Sequence, residues 1–180
     1  AEASQKRINE FLDSNTSLEN GTLKMTKKQA KDIVFKDVSF EYDQTGIKIF
    51  NSFNLKIEEG KTIGIVGKVG SGKTSILDLI CRIYDPSSGD IFIGDKNLKS
   101  LELNELRKNI SYVTQNNFLF SESIQKNIEF GNPNATKEEV KQAAILAEID
   151  SEILKFKKGY ETILGERGVT LSGGQVQRLS

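Results

Sequence analysis

The residues best suited to do chemistry lie in one glycine-rich segment, Gly67–Thr74, which reads GKVGSGKT. Glycines let the backbone curl so that successive N–H groups point inward at an anion. Lys73 adds a positive charge for the β and γ phosphates of a nucleotide, and the hydroxyl of Thr74 is a ligand for Mg²⁺. The segment fits a phosphate-binding P-loop. Its candidate binding residues are Gly67, Gly70, Ser71, Gly72, Lys73, Thr74 and Ser75.

A second glycine-containing segment, Leu171–Gln175, reads LSGGQ and lies much later in the chain. Its small hydroxyl and two glycines precede a predicted helix, so backbone N–H groups there are available to an anion. By itself, however, the tripeptide Ser-Gly-Gly is also common in ordinary loops. The segment gains weight only when it is considered together with the P-loop.

Alternating and helical hydrophobic patterns predict the elements that position these motifs. Two antiparallel strands are expected on either side of a turn at Asp43–Gly46, and a second turn is expected at Glu59–Gly60. A short apolar run at Thr62–Val66 predicts a strand buried on both faces of a parallel sheet. A capping box at Thr136–Glu139 begins a helix that extends to about Ile149. The remaining predictions are helices over 75–83 and 101–107 and strands over 89–94 and 110–114.

The composition excludes several classes of function. The chain has no histidine, which rules out Ser-His-Asp and Cys-His catalysis, and its one cysteine, Cys81, cannot form an internal disulfide. Equal numbers of basic and acidic residues, 25 of each, give no net field that would attract nucleic acid. No apolar run approaches the length of about 20 residues that a membrane-spanning helix needs. We expect Cys81 to be a buried structural thiol.

Taken together, the two motifs resemble those of ATP-binding cassette (ABC) ATPases, in which the second motif is called the signature. The resemblance implies an α/β P-loop NTPase of the ABC ATPase type with an antiparallel β subdomain, a mostly parallel central sheet and a helical signature subdomain. The chain is expected to be incomplete at its C-terminus. We expect an amphipathic helix and linker over 1–31 and a partial nucleotide-binding domain over 32–180, with the helical subdomain at about 116–175.

The resemblance also implies roles for individual residues. Tyr42 lies where the family's A-loop aromatic stacks on adenine, with an ordinary strand aromatic that fills the core as the alternative. Gln115 resembles the Q-loop glutamine that reaches Mg²⁺ and the attacking water, although a glutamine after a strand is often only a surface amide. ATP and Mg²⁺ are the implied ligands. The signature residues Ser172, Gly173, Gly174 and Gln175 are expected to contact ATP held by a second nucleotide-binding domain.

Three further segments resemble exporters whose membrane and ATPase parts are fused. Phe118–Ile128 resembles the segment that packs against intracellular helices of the membrane domain, with core packing as the alternative. Gly165–Gly168 resembles the X-loop, where Glu166 would contact that domain, with a surface turn as the alternative. Ala1–Asp13 resembles the end of a last transmembrane helix. These resemblances imply a transmembrane domain in the same polypeptide and a location on the cytoplasmic face of a membrane.

Two departures from the family pattern bear on activity. Val69 replaces a serine found in many members, a tolerated change because the backbone binds the phosphate. No Walker B strand ending in Asp-Glu follows the signature, and no switch histidine is present. We therefore expect the 180-residue chain to bind nucleotide without hydrolysing it, although a parent exporter would be an ATPase. The alternative functions are a soluble ABC-type ATPase that acts on DNA and a non-hydrolysing nucleotide-binding module.

Overall fold

A computed structural model describes residues 5–6, 8–9, 12, 18–25, 32–165 and 171–180. The chain forms two compact units, Ala1–Ser111 and Tyr112–Ser180. The predicted helical subdomain at about 116–175 falls within the second unit. Most of the helix and linker predicted for 1–31 lies outside the described residues. In the part of the chain that the structure describes, no helix is long and apolar enough to span a membrane.

The first unit is built on a four-stranded antiparallel sheet in the order β2-β1-β3-β4. The predicted hairpin is confirmed, since β1 and β2 flank residues 43–46. The predicted strand at 89–94 corresponds to β3. The strands are β1 (Ile33–Tyr42), β2 (Ile47–Ile57), β3 (Ser88–Ile93) and β4 (Lys96–Asn97).

A bulge in β1 explains why its alternating pattern changes phase. The buried positions shift from Phe35 to Val38, and the pairing register with both neighbouring strands changes between them. Asp37 has a φ of 47°, and Asn54 accepts a hydrogen bond of 3.0 Å from its backbone N–H. Any side chain at Gly89 would collide with the Asp37 carbonyl. The bulge therefore requires glycine on β3.

The predicted strands at 62–66 and 110–114 are not formed, and the central parallel sheet to which they would belong is absent from the described residues. Residues 61–71 are all exposed, and Val66 is 97% exposed. A strand that is buried on both faces needs hydrogen-bonded neighbours at its edges. Residues 62–66 pair with none of β1–β4. Residues 62–66 therefore have the apolar sequence of a buried strand but lack the hydrogen-bonded neighbours that would make them one.

One helix, α1 (Lys73–Ile80), packs on the sheet through Ile76 and Leu79. It ends close to Arg82, which is only 1% exposed and has a φ of 48°. The Arg82 guanidinium donates two hydrogen bonds to Asp85, at 3.0 and 3.1 Å, and one of 2.9 Å to the carbonyl of Glu19. These bonds fix the chain segment that follows α1. A 3₁₀ turn at Leu98–Ser100 and the predicted short helix, here α2 (Leu103–Lys108), complete this unit.

The second unit is helical, with a separate apolar core around Ile124, Ile153 and Leu164. The capping box of Thr136 and Glu139 is confirmed, but the helix that it starts ends at Leu146 rather than near Ile149. Glu148 has a φ of 56°, and a left-handed residue ends a helix. The elements are α3 (Ile124–Glu129), α4 (Lys137–Leu146), α5 (Asp150–Ile153), a 3₁₀ turn at Gly159–Glu161 and α6 (Gly173–Leu179).

Candidate nucleotide-binding site

The glycine-rich segment forms an exposed loop that leads directly into α1. Gly70 and Gly72 have φ values of 80° and 84°, in the left-handed region that favours glycine. Gly72 is the N-cap of α1, and no side chain caps the first turn. The N–H groups at the start of α1 are therefore not claimed by a capping side chain. An anion-binding helix N-terminus has this arrangement.

Lys73 holds the loop in its curved shape. Its Nζ donates hydrogen bonds to the backbone carbonyls of Gly67, at 2.9 Å, and Lys68, at 2.7 Å. Both acceptors are neutral and lie in an exposed loop. A phosphate oxygen is a stronger acceptor for an ammonium group because the hydrogen bond is then assisted by charge on both sides. The ammonium group of Lys73 therefore lies against the loop that is predicted to bind phosphate.

The loop packs closely against β2 at one glycine. A Cβ atom at Gly72 would collide with the side chain of Ile49 and touch the ring of Phe50. At Gly70, by contrast, no atom lies within 4 Å of the equivalent position. Gly72 is thus required for space as well as for its backbone angle, whereas Gly70 is required for its angle alone.

The predicted A-loop residue, Tyr42, lies next to the P-loop helix. Its hydroxyl is 2.9 Å from Oγ of Ser75, which is 3% exposed. The Tyr42 ring makes edge contacts with Phe40, at 4.9 Å between centroids, and with Tyr84, at 5.3 Å. Tyr42 is half-buried and packs against the core, so it has the packing of a core aromatic while remaining near the loop.

A cavity of about 740 Å³ lies beside this aromatic group. Its lining residues include Tyr42, Tyr84, Ile47, Asp43 and Asp85. Tyr84 was not predicted as a site residue, because nothing in its spacing distinguishes it from a surface aromatic. Its edge contact with Tyr42 could be found only from the fold.

The predicted metal ligand in this unit is Thr74, which is exposed in the first turn of α1. Among the described residues, no three His, Cys, Asp or Glu side chains cluster in a way that would hold a metal ion. Mg²⁺ in nucleotide sites is held mainly by phosphate oxygens and water with one or two protein ligands. A lone hydroxyl beside the loop therefore fits Mg²⁺ that arrives with a nucleotide.

Gln115, in the second unit, is exposed and follows an irregular segment. The Thr114 hydroxyl donates to the carbonyl of Asn116 at 3.0 Å and is 2.9 Å from Oδ1 of Asn117. Gln115 lines a cavity of about 620 Å³ together with Gly173 of the signature. The structure thus brings Gln115 next to the signature within one unit.

The signature segment is held by its own side chains. Ser172 is the N-cap of α6, and its Oγ accepts a hydrogen bond of 3.3 Å from the N–H of Gln175. In return, Oε1 of Gln175 accepts a bond of 2.7 Å from the N–H of Ser172. This capping box leaves Gly173 and Gly174 exposed at the start of the helix. Gln175, which we predicted to bind nucleotide, uses its amide for the capping box and for a contact with Glu152.

Three phenylalanines after Gln115 form an exposed cluster. Phe118, Phe120 and Phe130 are 71%, 40% and 68% exposed. Their ring centroids are 5.1 Å apart for Phe118 and Phe120 and 4.7 Å apart for Phe120 and Phe130. The buried amide of Asn127 fixes the backbone of Phe120 through hydrogen bonds of 2.7 and 3.1 Å. Most of the predicted X-loop, including Glu166, lies outside the described residues.

Cys81 is buried at the end of α1, 8% exposed, as predicted. Burial raises the pKa of its thiol, with a further contribution from the nearby Asp78 carboxylate. The thiolate form is therefore disfavoured at neutral pH, and Cys81 is a packing residue rather than a nucleophile.

The phosphate-binding loop and the capped signature helix together direct attention to one family. The model of the "ABC transporter" family matches residues 50–180, which includes both motifs. The chain belongs to the ABC transporter family. Our predictions of the family and of its α/β P-loop fold class are therefore confirmed. Membership also implies that the chain binds ATP.

Individual members of the ABC transporter family are similar over most of this chain. ABC transporter B family member 13 of Arabidopsis thaliana is 42% identical over 158 residues, which are 87% of this chain and 13% of that protein. The putative multidrug export ATP-binding/permease protein YgaD of Bacillus subtilis is 43% identical over 148 residues, which are 82% of this chain and 26% of that protein.

A solved structure of a bacterial Atm1-family ABC exporter with ATP bound superimposes with a TM-score of 0.87 and 30% identity. The match covers 98% of this chain and 31% of that one. The chain therefore spans less than a third of the length of these three relatives.

Proposed function

We propose that this chain supplies the nucleotide-binding part of the ATP-hydrolysing domain of an ABC exporter, in which closure of two such domains on ATP drives transport across a membrane. The observation that carries the proposal is the P-loop itself, with Lys73 beside two carbonyls and an uncapped α1 behind it. YgaD and the Atm1-family protein are both named as exporters, which supports the transport role.

Within this proposal, the first unit binds the nucleotide. Lys73 and the N–H groups of 67–75 bind the phosphates, Thr74 binds the Mg²⁺ that accompanies them, and Tyr42 stacks on the adenine. Mg²⁺ would neutralise charge that develops on the phosphates. Gln115 would approach the same Mg²⁺ and the attacking water. The glycine at 72 supports this assignment, because it allows the loop to lie against β2 without a collision.

The second unit would contribute to the site of a partner domain. Ser172, Gly173 and Gly174 present an exposed helix start that suits the phosphates of ATP bound to the other copy. The other copy is either a second copy of this chain or a related domain. In either case, two composite ATP sites would form, each from the P-loop of one copy and the signature of the other.

The exposed phenylalanine cluster supports a transmembrane domain in the same polypeptide. Three neighbouring aromatic rings on the surface of a small unit mark an interaction site rather than a solvated face. We propose that Phe118, Phe120 and Phe130 dock against intracellular helices of that domain, and that Glu166 contacts the same domain. The chain would then work at the cytoplasmic face of the membrane.

The proposal is tested by calorimetric titration of the chain with Mg-ATP. We expect Lys73→Ala to lose about 2 kcal/mol or more of binding free energy, since hydrogen bonds to charged groups contribute amounts of this size. Lys61→Ala is the matched control, because Lys61 is an exposed lysine outside the loop. Equal ATP affinity in wild type and Lys73→Ala would remove the basis of the proposed function.

A further inference from the structure

We propose that Glu152, on α5, is a positioning residue for the signature segment, defined here as Leu171–Gln175. The proposal rests on the proposed function, in which this segment contacts ATP held by a partner domain. Nothing in the sequence pattern distinguishes Glu152 from the other glutamates of the second unit. Its role emerges only from the contacts between α5 and α6.

The Glu152 carboxylate binds two side chains of the signature helix at once. Oε2 accepts a hydrogen bond of 2.6 Å from Nε2 of Gln175, and Oε1 accepts one of 2.6 Å from the guanidinium of Arg178. Gln175 and Arg178 are three residues apart and therefore lie on the same face of α6. One carboxylate thus holds the first and last turns of a seven-residue helix.

The bond to Gln175 determines which way its amide points. With Nε2 toward Glu152, Oε1 faces the N–H of Ser172 and completes the capping box at 2.7 Å. In the reversed orientation the amide oxygen would face a carboxylate and the amide NH₂ group would face an N–H donor. Both contacts would be repulsive. Glu152 therefore selects the orientation that fixes the backbone at Ser172.

Glu152 itself is held on a firm platform. Its neighbours Ile149 and Ile153 are 2% and 0% exposed in the core of the second unit. The hydroxyl of Tyr160 donates a hydrogen bond of 2.6 Å to Asp150, at the start of α5. The Glu152 side chain is 30% exposed, so the carboxylate lies at the edge of this core and within reach of α6.

The consequence is a signature segment whose geometry is set before a partner arrives. In this proposal Glu152 does not contact nucleotide; it acts through Gln175 on the N–H of Ser172, the residue that leads into Gly173. Small displacements of groups that contact a reacting or tightly bound ligand have large effects on function. Loss of Glu152 is therefore expected to impair the contact with the partner's ATP while leaving the P-loop of the same copy unchanged.

The test compares Glu152→Ala and Glu152→Gln in the full-length protein, with closure of its two ATPase domains on Mg-ATP followed by resonance energy transfer between labels. We expect Glu152→Ala to raise the ATP concentration needed for closure about tenfold or more, while ATP affinity in the open state changes less than about twofold. Glu152→Gln should give a smaller shift, because its amide oxygen can still accept one of the two bonds.

Two controls separate positioning from general stability. Glu148→Gln removes an exposed carboxylate near the end of α4 and should leave closure unchanged. Thr136→Ala removes the side-chain cap at the start of α4 and breaks no hydrogen bond of α5 or α6, so it should lower the melting temperature without a comparable change in closure. A normal closure curve for Glu152→Ala would overturn the proposal. An equal closure defect in Thr136→Ala at equal loss of melting temperature would overturn it as well.

The same experiment distinguishes this inference from the proposed function. If Lys73→Ala failed to weaken ATP binding, the proposed function would fail and the inference would fail with it. If Lys73→Ala weakened binding as expected and Glu152→Ala closed normally, the inference alone would fail.

Discussion

The P-loop and the signature segment are both glycine-containing helix starts, but they are held in different ways. The signature has a complete capping box and an additional carboxylate that binds α6 at two points. The first turn of α1 has no side-chain cap, and among the described residues Lys73 bonds to two carbonyls of its own loop. One segment is thus organised in advance by side chains, whereas the other keeps its N–H groups available for a ligand.

We expect the largest effect from Gly72→Ala in the P-loop, as a loss in the free energy of unfolding. A left-handed backbone costs a non-glycine residue about 1–3 kcal/mol, and overpacking against Ile49 and Phe50 adds a similar amount. Gly70→Ala should show the first cost alone, since its surroundings are open. Urea unfolding of the chain with Gly72→Ala and Gly70→Ala measures the difference. An equal loss of unfolding free energy in the two variants would show that the loop does not pack on β2.

The next effect concerns the base of the nucleotide. Tyr42→Ala should weaken binding of both ATP and GTP by about 1–3 kcal/mol, because stacking involves the face of a base rather than its edge. Tyr42→Phe keeps the ring but loses the contact with Ser75, so it is the matched control for stacking. Calorimetric titration with each nucleotide checks the prediction. Unchanged binding in Tyr42→Ala would mean that Tyr42 is only a core aromatic.

We expect the smallest effect at Tyr160, which bonds to α5, in the dependence of stability on pH. Partial burial and the bond to the Asp150 carboxylate raise the pKa of this phenol from its ordinary value of 10.0. Because the folded pKa is raised, the resulting stability is present below about pH 10 and is lost as the pH rises toward the folded pKa. Solvent screens the group, so the effect is modest.

The measurement for Tyr160 is the melting temperature of the chain at about pH 9 and about pH 11. Between these two pH values, the melting temperature of the wild type should fall more than that of Tyr160→Phe. The comparison with this variant separates the effect of Tyr160 from that of the other tyrosines and lysines that titrate in the same range. Identical pH profiles would contradict the contact between Tyr160 and Asp150.

Sequence patterns predicted the features that depend on local chemistry. The hairpin at 43–46, the α1 helix and the capping box of Thr136 and Glu139 follow from residues close together in the chain, and the structure contains them. The prediction of strands at 62–66 and 110–114 was wrong. The apolar run at 62–66 indicates a tendency to be buried, but it does not specify which segment it would pair with. Pairing depends on other segments, so the run remained exposed here.

The same limit applies to the site. Lys73 and the glycines could be predicted because a loop binds phosphate with consecutive residues. Glu152 and Tyr84 could not, since each acts on a motif residue that is distant in the sequence. Gln175 was predicted to bind nucleotide, but its amide is used within the second unit. The spacing of Ser172 and Gln175 is that of a capping box, whereas the contact of Gln175 with Glu152 depends on the fold.

Mixed dimers of the full-length protein test whether the P-loop of one copy works with the signature of another. One mixture joins a Lys73→Ala copy to a Ser172→Arg copy; the other joins a copy carrying both changes to a wild-type copy. We expect that only the first mixture retains one intact composite site and closes on Mg-ATP. Closure of the second mixture but not the first would contradict it, because each P-loop would then be working with the signature of its own chain.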